Sequence, residues 1–372
     1  MADTMHETDR TKYEVPQSPY DEFMAAQGVP IHRVLGARDV REVELGEWPR
    51  LDARGAFIQP HGTEGLWGMF VLGVPARRAT APERHLYEEV FYVAEGTGTT
   101  EVWTDGTENQ KRMFEWQAGS LFTVPLNAWH RIVNASSSQA VLVASTTAPP
   151  IIDLLGFGSF TFDNPATFDS EFEEQADYFK YREEVTVEPV RKQPLLRSNL
   201  IPDLVRCNLP SDPSGRRRHH VELKLGSGKQ FIWVGETDLG RYAKAHYHPA
   251  GPILFCLRGR GYTYTWPQSA GTKPWESGNA DAVLRQDYGP GGFVAAAPAG
   301  GDWFHQHFGV GDVPLRLLRL GGAVNGFNAG PPGVTVVNPN VSIKAGGHSI
   351  DYEDEDPHIP AEFARMNEEA TR

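Results

Sequence analysis

Two stretches of this chain repeat each other in register, and that repeat limits the fold more than any other feature. "PERHLYEEVFYVAEGTGTTEVW" (82–103) and "AKAHYHPAGPILFCLRGRGYTYTW" (243–266) align with His85 on His248, Gly96 on Gly259, Gly98 on Gly261 and Trp103 on Trp266, all at an offset of 163. Downstream, "GSLFTVPLNAWHRIVN" (119–134) matches "GFVAAAPAGGDWFHQHFG" (292–309), with Gly119 on Gly292 and Pro125 on Pro298 at an offset of 173, and Trp129-His130 on Phe304-His305 at 175. Landmarks held at one offset across a block mark a duplicated structural unit.

Within each copy apolar and polar residues alternate between glycine turns, as in "GTTEVWTDG" (98–106) and "GYTYTWPQ" (261–268), the period of strands. The 38 glycines and 28 prolines suit many tight turns. Helical patterns are confined to 19–27, to the charged segment 168–184, read as a helical connection between two β-rich halves, and to the end of an otherwise acidic, solvated tail. The expected class is all-β: an extension at 1–29, a first domain over 30–165, a helical linker over 166–184, a second domain over 185–345 and an acidic tail over 346–372.

The paired blocks resemble the two motifs of the cupin family, H-x-H followed by a glutamate and a glycine, then a glycine, P-x-G, a histidine and an asparagine. Because each recurs once, the chain resembles a bicupin, and the resemblance implies two tandem jelly-roll β-barrels. It is specific for fold and a poor guide to reaction, since one barrel hosts many chemistries.

Residues i and i+2 of a strand face the same way, so His246 and His248 point together into a barrel and His305, from a distant strand, completes a three-imidazole face. Neutral imidazoles suit iron, copper, nickel, zinc and manganese. The family's glutamate position is Pro252 in this copy. The first copy carries Glu83, His85, Glu89 and His130, with Asn134 closing its second motif, and Asn127 stands where P-x-G has its second glycine. The residues leave open whether that set holds a second metal or is vestigial, with Glu83 facing solvent beside Arg84. His307, at i+2 from His305, is expected beside the metal to bind or deprotonate substrate; the alternatives are a ligand or a packing residue. Tyr264 is a second candidate proton carrier, and Trp303 and Phe255 are candidate pocket residues. Trp103 and Trp266, repeated at one position, read as structural, and Trp129 is left between a pocket and a core or interface role. "RRRHH" (216–220) reads as a solvated surface run.

A three-histidine site keeps the ion's full charge and leaves positions for a chelating, anionic substrate and dioxygen. It is similar to gentisate-type and diketone-cleaving cupins, which lack the glutamate. The leading expectation is therefore an Fe(II) dioxygenase, with Mn, Ni, Zn or Cu as other metals, acting on a small chelating organic acid that is aromatic or enolisable. The alternatives are a redox-neutral lyase, isomerase or decarboxylase and a non-catalytic binding protein. The net charge of -13 argues against nucleic acid or an anionic membrane as main partner, and no apolar run reaches membrane-spanning length. A homo-oligomer is expected. Cys207 and Cys256, in no metal or redox spacing, and a polar N-terminus suggest a disulfide-free protein of the cytoplasm. No phosphate-binding loop, dinucleotide fingerprint or G-x-S-x-G elbow is present.

Overall fold

The structure, a computed structural model, describes residues 16–166, 172, 175–188, 192–211, 218–248, 252–298, 303–321 and 341–371. Its first half holds strands β1 (Ile31–Val34), β2 (Gly36–Ala37), β3 (Gly46–Trp48), β4 (Ala53–Pro60), β5 (Gly68–Val74), β6 (Glu89–Glu95), β7 (Thr97–Trp103), β8 (Arg112–Gln117), β9 (Leu121–Thr123), β10 (Trp129–Asn134) and β11 (Ala140–Thr146). The second half holds β12 (Val185–Val187), β13 (Pro194–Arg197), β14 (Leu200–Ile201), β15 (Arg218–Lys224), β16 (Ile232–Thr237), β17 (Ile253–Arg258), β18 (Arg260–Pro267), β19 (Leu284–Tyr288), β20 (Phe293–Ala295), β21 (Trp303–Val310) and β22 (Leu315–Leu320).

Each half is an eight-stranded sheet facing a three-stranded one, β10-β7-β8 in the first and β19-β18-β21 in the second. The two units are jelly rolls of facing sheets, called barrels below. They also trade strands: β14 extends the first large sheet beside β9, and β2 extends the second beside β20. The domain limits 30–165 and 185–345 are therefore each crossed by one short strand. A strand of two residues has no periodicity to read, which is why the sequence does not announce the exchange.

The runs "GMFVLGV" and "AVLVAST" are apolar on both strand faces because both faces are buried. Phe70, Leu72, Phe91, Val93 and Leu142 pack into the first barrel's interior. Their neighbours Met69, Val71, Val90, Tyr92, Val141 and Val143 pack against Val221, Val234, Phe255, Leu318 and Leu320 of the other large sheet. The halves thus share one apolar core, and Phe255 belongs to it: fully buried, its ring is 5.1 Å from Tyr92. This corrects its assignment to a substrate pocket.

The repeat register holds in three dimensions, with one adjustment. Trp129 pairs with Trp103 and Phe304 with Trp266. Gly98 and Gly261 must lack side chains, since a Cβ would lie 2.1 Å from the Val133 carbonyl oxygen and 2.0 Å from that of Phe308. Gly119, however, corresponds to Gly291 and not Gly292: both donate their N–H to equivalent carbonyls, of Val93 and Cys256 at 2.9 Å, and both have positive φ. Asn127 takes φ 58°, the left-handed turn expected of it.

Helix α1 (Pro19–Ala26) begins at a capping box of Ser18 and Asp21. Between the halves lie α2 (Ala148–Leu155) and α3 (Ser159–Phe162). The linker helix expected over 168–184 falls partly on 168–171 and 173–174, outside the described residues, while 175–184 form turns and irregular chain. The tail is not simply solvated. Ser349 bridges His246, Glu355 accepts from the Tyr242 hydroxyl at 2.6 Å, and Asp356 is buried, accepting from the Trp275, Glu276 and His358 amides. Helix α4 (His358–Thr371) then lays Ile359 and Phe363 on the outer face of β18 and β21. Cys207 and Cys256 are unbridged. Residues 216 and 217 of the basic run lie outside the described residues; His219 is exposed at its side chain and lies 3.8 Å from Asp238, but His220 is buried, which corrects the reading of the run as solvated throughout. Among the described residues no helix is long and apolar enough to cross a membrane.

Candidate metal centres in the two barrels

Both histidine clusters sit where a single-residue bridge joins the motif-one segment to the motif-two strand. His246 and His305 exchange backbone hydrogen bonds at 3.1 and 2.9 Å, and Glu83 and His130 do so at 3.0 and 2.9 Å. Glu83 is thus the spatial counterpart of His246. Its side chain is only 15% exposed and pairs with Arg50, which corrects the alternative of a solvent-facing Glu83 beside Arg84. Arg84 instead pairs with Asp105 and Asp163, both at 2.8 Å.

In the second barrel the ring nitrogens of His246, His248 and His305 lie within 4.8 Å of one another. The Nε2 atoms of His248 and His305 are 3.1 Å apart. Two nitrogens each about 2.1 Å from one ion are separated by roughly 3.0 Å at a right angle and roughly 3.4 Å at a tetrahedral one. The His246 Nδ1–H donates to the Lys244 carbonyl at 3.0 Å, which turns Nε2 toward the cluster. Burial, then the neighbouring rings His246, His248 and His307, push His305 well below the usual histidine range. Three crowded imidazoles facing each other in a largely buried site are a donor set that fits a divalent cation.

β21 pairs with β18 in unbroken register, so Trp303, His305 and His307 share a face. The His307 ring is 5.5 Å from that of His305 and 6.4 Å from that of His246. Its Nδ1 is hydrogen-bonded to the Thr263 hydroxyl at 2.8 Å, and that hydroxyl meets the Tyr288 hydroxyl at 3.0 Å. Burial, then His246, lowers His307 to about 3, so the ring is neutral at physiological pH. Tyr264 is on the other face of β18. It packs beneath α4 with Tyr262, Phe308 and Trp275, and Arg285 donates to its hydroxyl at 3.5 Å. This corrects its assignment as a proton carrier: the inward residues of "GYTYTW" are Thr263 and Thr265. Trp303 is half-buried on the same face as His305, whereas Trp266 is fully buried in the outer cluster.

In the first barrel Glu83, His85, Glu89 and His130 also converge within 4.8 Å. His85 Nε2 is 3.3 Å from a Glu89 oxygen and His130 Nε2 3.9 Å from a Glu83 oxygen. His85 Nε2, Glu89 Oε2 and His130 Nε2 are buried without an aligned hydrogen-bond partner, which a shared cation would supply. Burial disfavours charge on His85, yet Glu89 and Glu83 prevail and raise it; His130 is lowered, by burial first. Glu83 is held below the carboxylate range, against the effect of burial, by Arg50 and then by His130 and His85. Tyr87 stacks flat on His85 at 3.8 Å. The space above is walled by Phe23, Trp48, Phe57, Phe70 and Arg50 and leaves about 10 Å³ for a water-sized centre, on the order of one water.

Arg50, Tyr87, Thr263 and Tyr288 were not singled out from the sequence. A parity rule anchored on His305 finds Thr263 and Thr265, because their strand is directly paired with it. Arg50 and Tyr87 carry no such signal.

The fold and clusters define a duplicated double-sheet protein with a candidate metal-ligand set in each half. Residues 70–146 match the cupin domain family, Cupin_2. The first half therefore carries a stretch that matches the cupin domain, and the second half repeats its sheet arrangement. Solved structures similar to it include a variant of oxalate decarboxylase from B. subtilis (10% identity, 76% of each chain, TM-score 0.45). Others are vicilin from hazelnut, Corylus avellana (13% identity, 77% of this chain and 85% of that one, TM-score 0.46), and the coconut allergen cocosin (10%, 77% and 85%, TM-score 0.47). No curated protein matches the sequence.

Proposed function

We propose that this chain is a bicupin and a metal-dependent enzyme whose reaction takes place in the second barrel, where His246, His248 and His305 hold a divalent metal. The observation that carries this reading is the pair of buried Nε2 atoms 3.1 Å apart, with a third imidazole alongside and no carboxylate among them. The preferred reaction is dioxygenation of a small chelating organic acid, with Fe(II) as the metal. When bound, such a metal supplies open positions for substrate and dioxygen and one-electron chemistry between them. The chain's own residues supply the rest. His307, neutral and fixed by Thr263, offers the substrate a hydrogen bond and a place for a proton. Trp303 lies on the same face of the strand.

The first barrel is proposed to hold a metal through Glu83, His85, Glu89 and His130 in a structural role, because its cavity has no room for an organic substrate. The protein is further proposed to be a homo-oligomer of the cytoplasm.

The test is metal analysis of protein isolated without added metal, followed by oxygen-electrode measurements on iron-loaded protein with a panel of hydroxy, keto and catecholic acids. Bound metal and substrate-dependent oxygen uptake are expected. Turnover without oxygen uptake would replace dioxygenation by a redox-neutral reaction in which the metal polarises a carbonyl. Protein that takes up no metal would remove the enzyme reading altogether.

A further inference from the structure

The repeat gives each residue of β18 a counterpart in β7, and one position shows how the two interiors diverge. Thr100 and Thr263 occupy it. In the first barrel Thr100 is paired with Ile132, and Gly98, two residues back, with Trp116. The Trp116 indole N–H donates to the Thr100 hydroxyl at 3.2 Å, and both are buried. In the second barrel Thr263 is paired with His307, and Gly261 with Tyr288. His307 therefore stands for Ile132 and Tyr288 for Trp116, around an unchanged threonine.

The exchange creates a chain of hydrogen bonds. The His307 Nδ1 meets the Thr263 hydroxyl at 2.8 Å, that hydroxyl meets the Tyr288 hydroxyl at 3.0 Å, and the Tyr288 hydroxyl reaches the Tyr262 carbonyl at 3.2 Å. A carbonyl can only accept. With the Tyr288 proton on the Tyr262 carbonyl, the Thr263 proton goes to the Tyr288 oxygen, and the Thr263 oxygen accepts from His307 Nδ1–H. All three contacts are then made. With the polarity reversed, the Tyr288 proton is used on Thr263 and the bond to the Tyr262 carbonyl is lost. Burial raises the Tyr288 hydroxyl above the ordinary tyrosine range, so it keeps the proton that the chain needs. Backbone carbonyls fix the same tautomer directly in three other rings: His246 through Lys244, His85 through Tyr87 at 2.8 Å and His130 through Ala128 at 3.2 Å.

We propose that Tyr288, acting through Thr263, holds the neutral His307 ring as its Nδ1–H tautomer, with Nε2 as a bare acceptor. Tyr288 and Thr263 are positioning residues. A ring held this way can take a proton at Nε2 and has none to give there. Its use on a substrate hydroxyl rests on the reaction proposed for the second barrel; the tautomer does not.

The test reads the ring nitrogens directly, by NMR of the full chain labelled with nitrogen-15 in its histidines. Spectra are taken in mildly alkaline buffer, on metal-free protein and again with zinc(II) added, and His307 is assigned by the signals lost in His307→Gln. In wild type Nδ1 should be the protonated nitrogen and Nε2 the bare one. Tyr288→Phe removes the oxygen that takes the Thr263 proton. Thr263 can then donate to Nδ1, and the ratio of the Nε2–H to the Nδ1–H form should rise roughly five- to tenfold, the worth of about one net hydrogen bond. Thr263→Val, which keeps the shape of the side chain, should move the ratio the same way and serves if the phenylalanine variant does not fold. Thr263→Ser, which keeps the hydroxyl, should hold the wild-type ratio. A main Nε2–H form or a doubly protonated ring in wild type overturns the proposal, as does a ratio unmoved in both Tyr288→Phe and Thr263→Val. Protein that takes up no zinc loses the metal reading, while the metal-free spectrum still decides the tautomer; zinc uptake with the wrong tautomer removes the role of Tyr288 alone.

Discussion

In the first barrel Phe91 stacks on Phe122 at 5.3 Å, and Phe70 stands edge-on to Phe91 at 6.2 Å, so aromatic rings fill the space above the ligand set. In the second barrel the counterparts of Phe91 and Phe122 are Leu254 and Val294, paired in the same register, and polar groups lie on the facing sheet: Thr263, Thr265 and His307. The framework, from its glycine turns to its strand order, is one design used twice. What differs is whether the interior is filled with aromatic rings or lined with polar groups. A filled interior stabilises the fold through burial. A polar one costs stability and is retained where it binds something.

The sharpest way to break this contrast is to remove one ligand from each barrel. His305→Ala should lose the second-barrel metal and all measurable turnover. His130→Ala should lose the first-barrel metal and keep most of the turnover, with a lower melting temperature. Metal content by mass spectrometry and a steady-state assay decide it. If His130→Ala is as inactive as His305→Ala, the division of labour between the barrels is wrong.

The next largest effect tests the shared framework. Gly98→Ala and Gly261→Ala each force a Cβ onto a backbone oxygen about 2 Å away. Each should cost about 2–4 kcal/mol, the range for backbone clashes that the structure cannot relieve. The shared core and the exchanged strands β2 and β14 tie the halves together, so both variants should shift one and the same thermal transition. Two calorimetric transitions, with a different one moved by each variant, would show that the barrels unfold separately.

How far the sequence alone leads is clear at these positions. Gly98 and Gly261 are legible because a constant offset needs no knowledge of the third dimension, and His246, His248 and His305 follow from strand parity once that offset is known. Which face of a strand looks inward is less accessible. In "GYTYTW" tyrosines and threonines alternate, and the bulkier tyrosines suggest a pocket, yet they lie under α4, because that helix gives the outer face an apolar cover. Phe255 has the same history: both faces of its strand are buried, and only the packing of the other large sheet shows that its side belongs to the shared core.

A smaller effect tests how the second barrel uses its polar lining. His307→Gln keeps a hydrogen-bonding side chain of similar reach and removes the imidazole. Metal content should match wild type, while kcat falls at least tenfold, at the low end of what an acid–base or hydrogen-bonding group contributes. Unchanged turnover would make His307 a packing residue, and loss of metal would make it a ligand.

The smallest expected effect concerns the cation that the first barrel already carries. Arg50 is held by a pair with Glu83, by a bond from its Nε to the Gln27 side-chain oxygen at 2.8 Å, and by the rings of Phe162, Trp48 and Phe23 at 5.4, 5.6 and 5.7 Å. Its guanidinium competes with a metal for the Glu83 carboxylate and repels any cation bound beside it. Burial works against its charge, but Glu83 and then Tyr87 raise Arg50 further, so deprotonation offers no relief. About 30% of the side chain is exposed, and solvent therefore screens part of the repulsion. Arg50→Met, which keeps the aromatic contacts and removes the charge, should tighten first-barrel metal binding by about five- to tenfold, or roughly 1 kcal/mol. Competitive titration with a chromophoric chelator measures it, and Arg50→Lys should stay near wild type. A weaker site in Arg50→Met would mean that the arginine holds Glu83 in its ligating position, and the first barrel would then need its own cation to build its metal site at all.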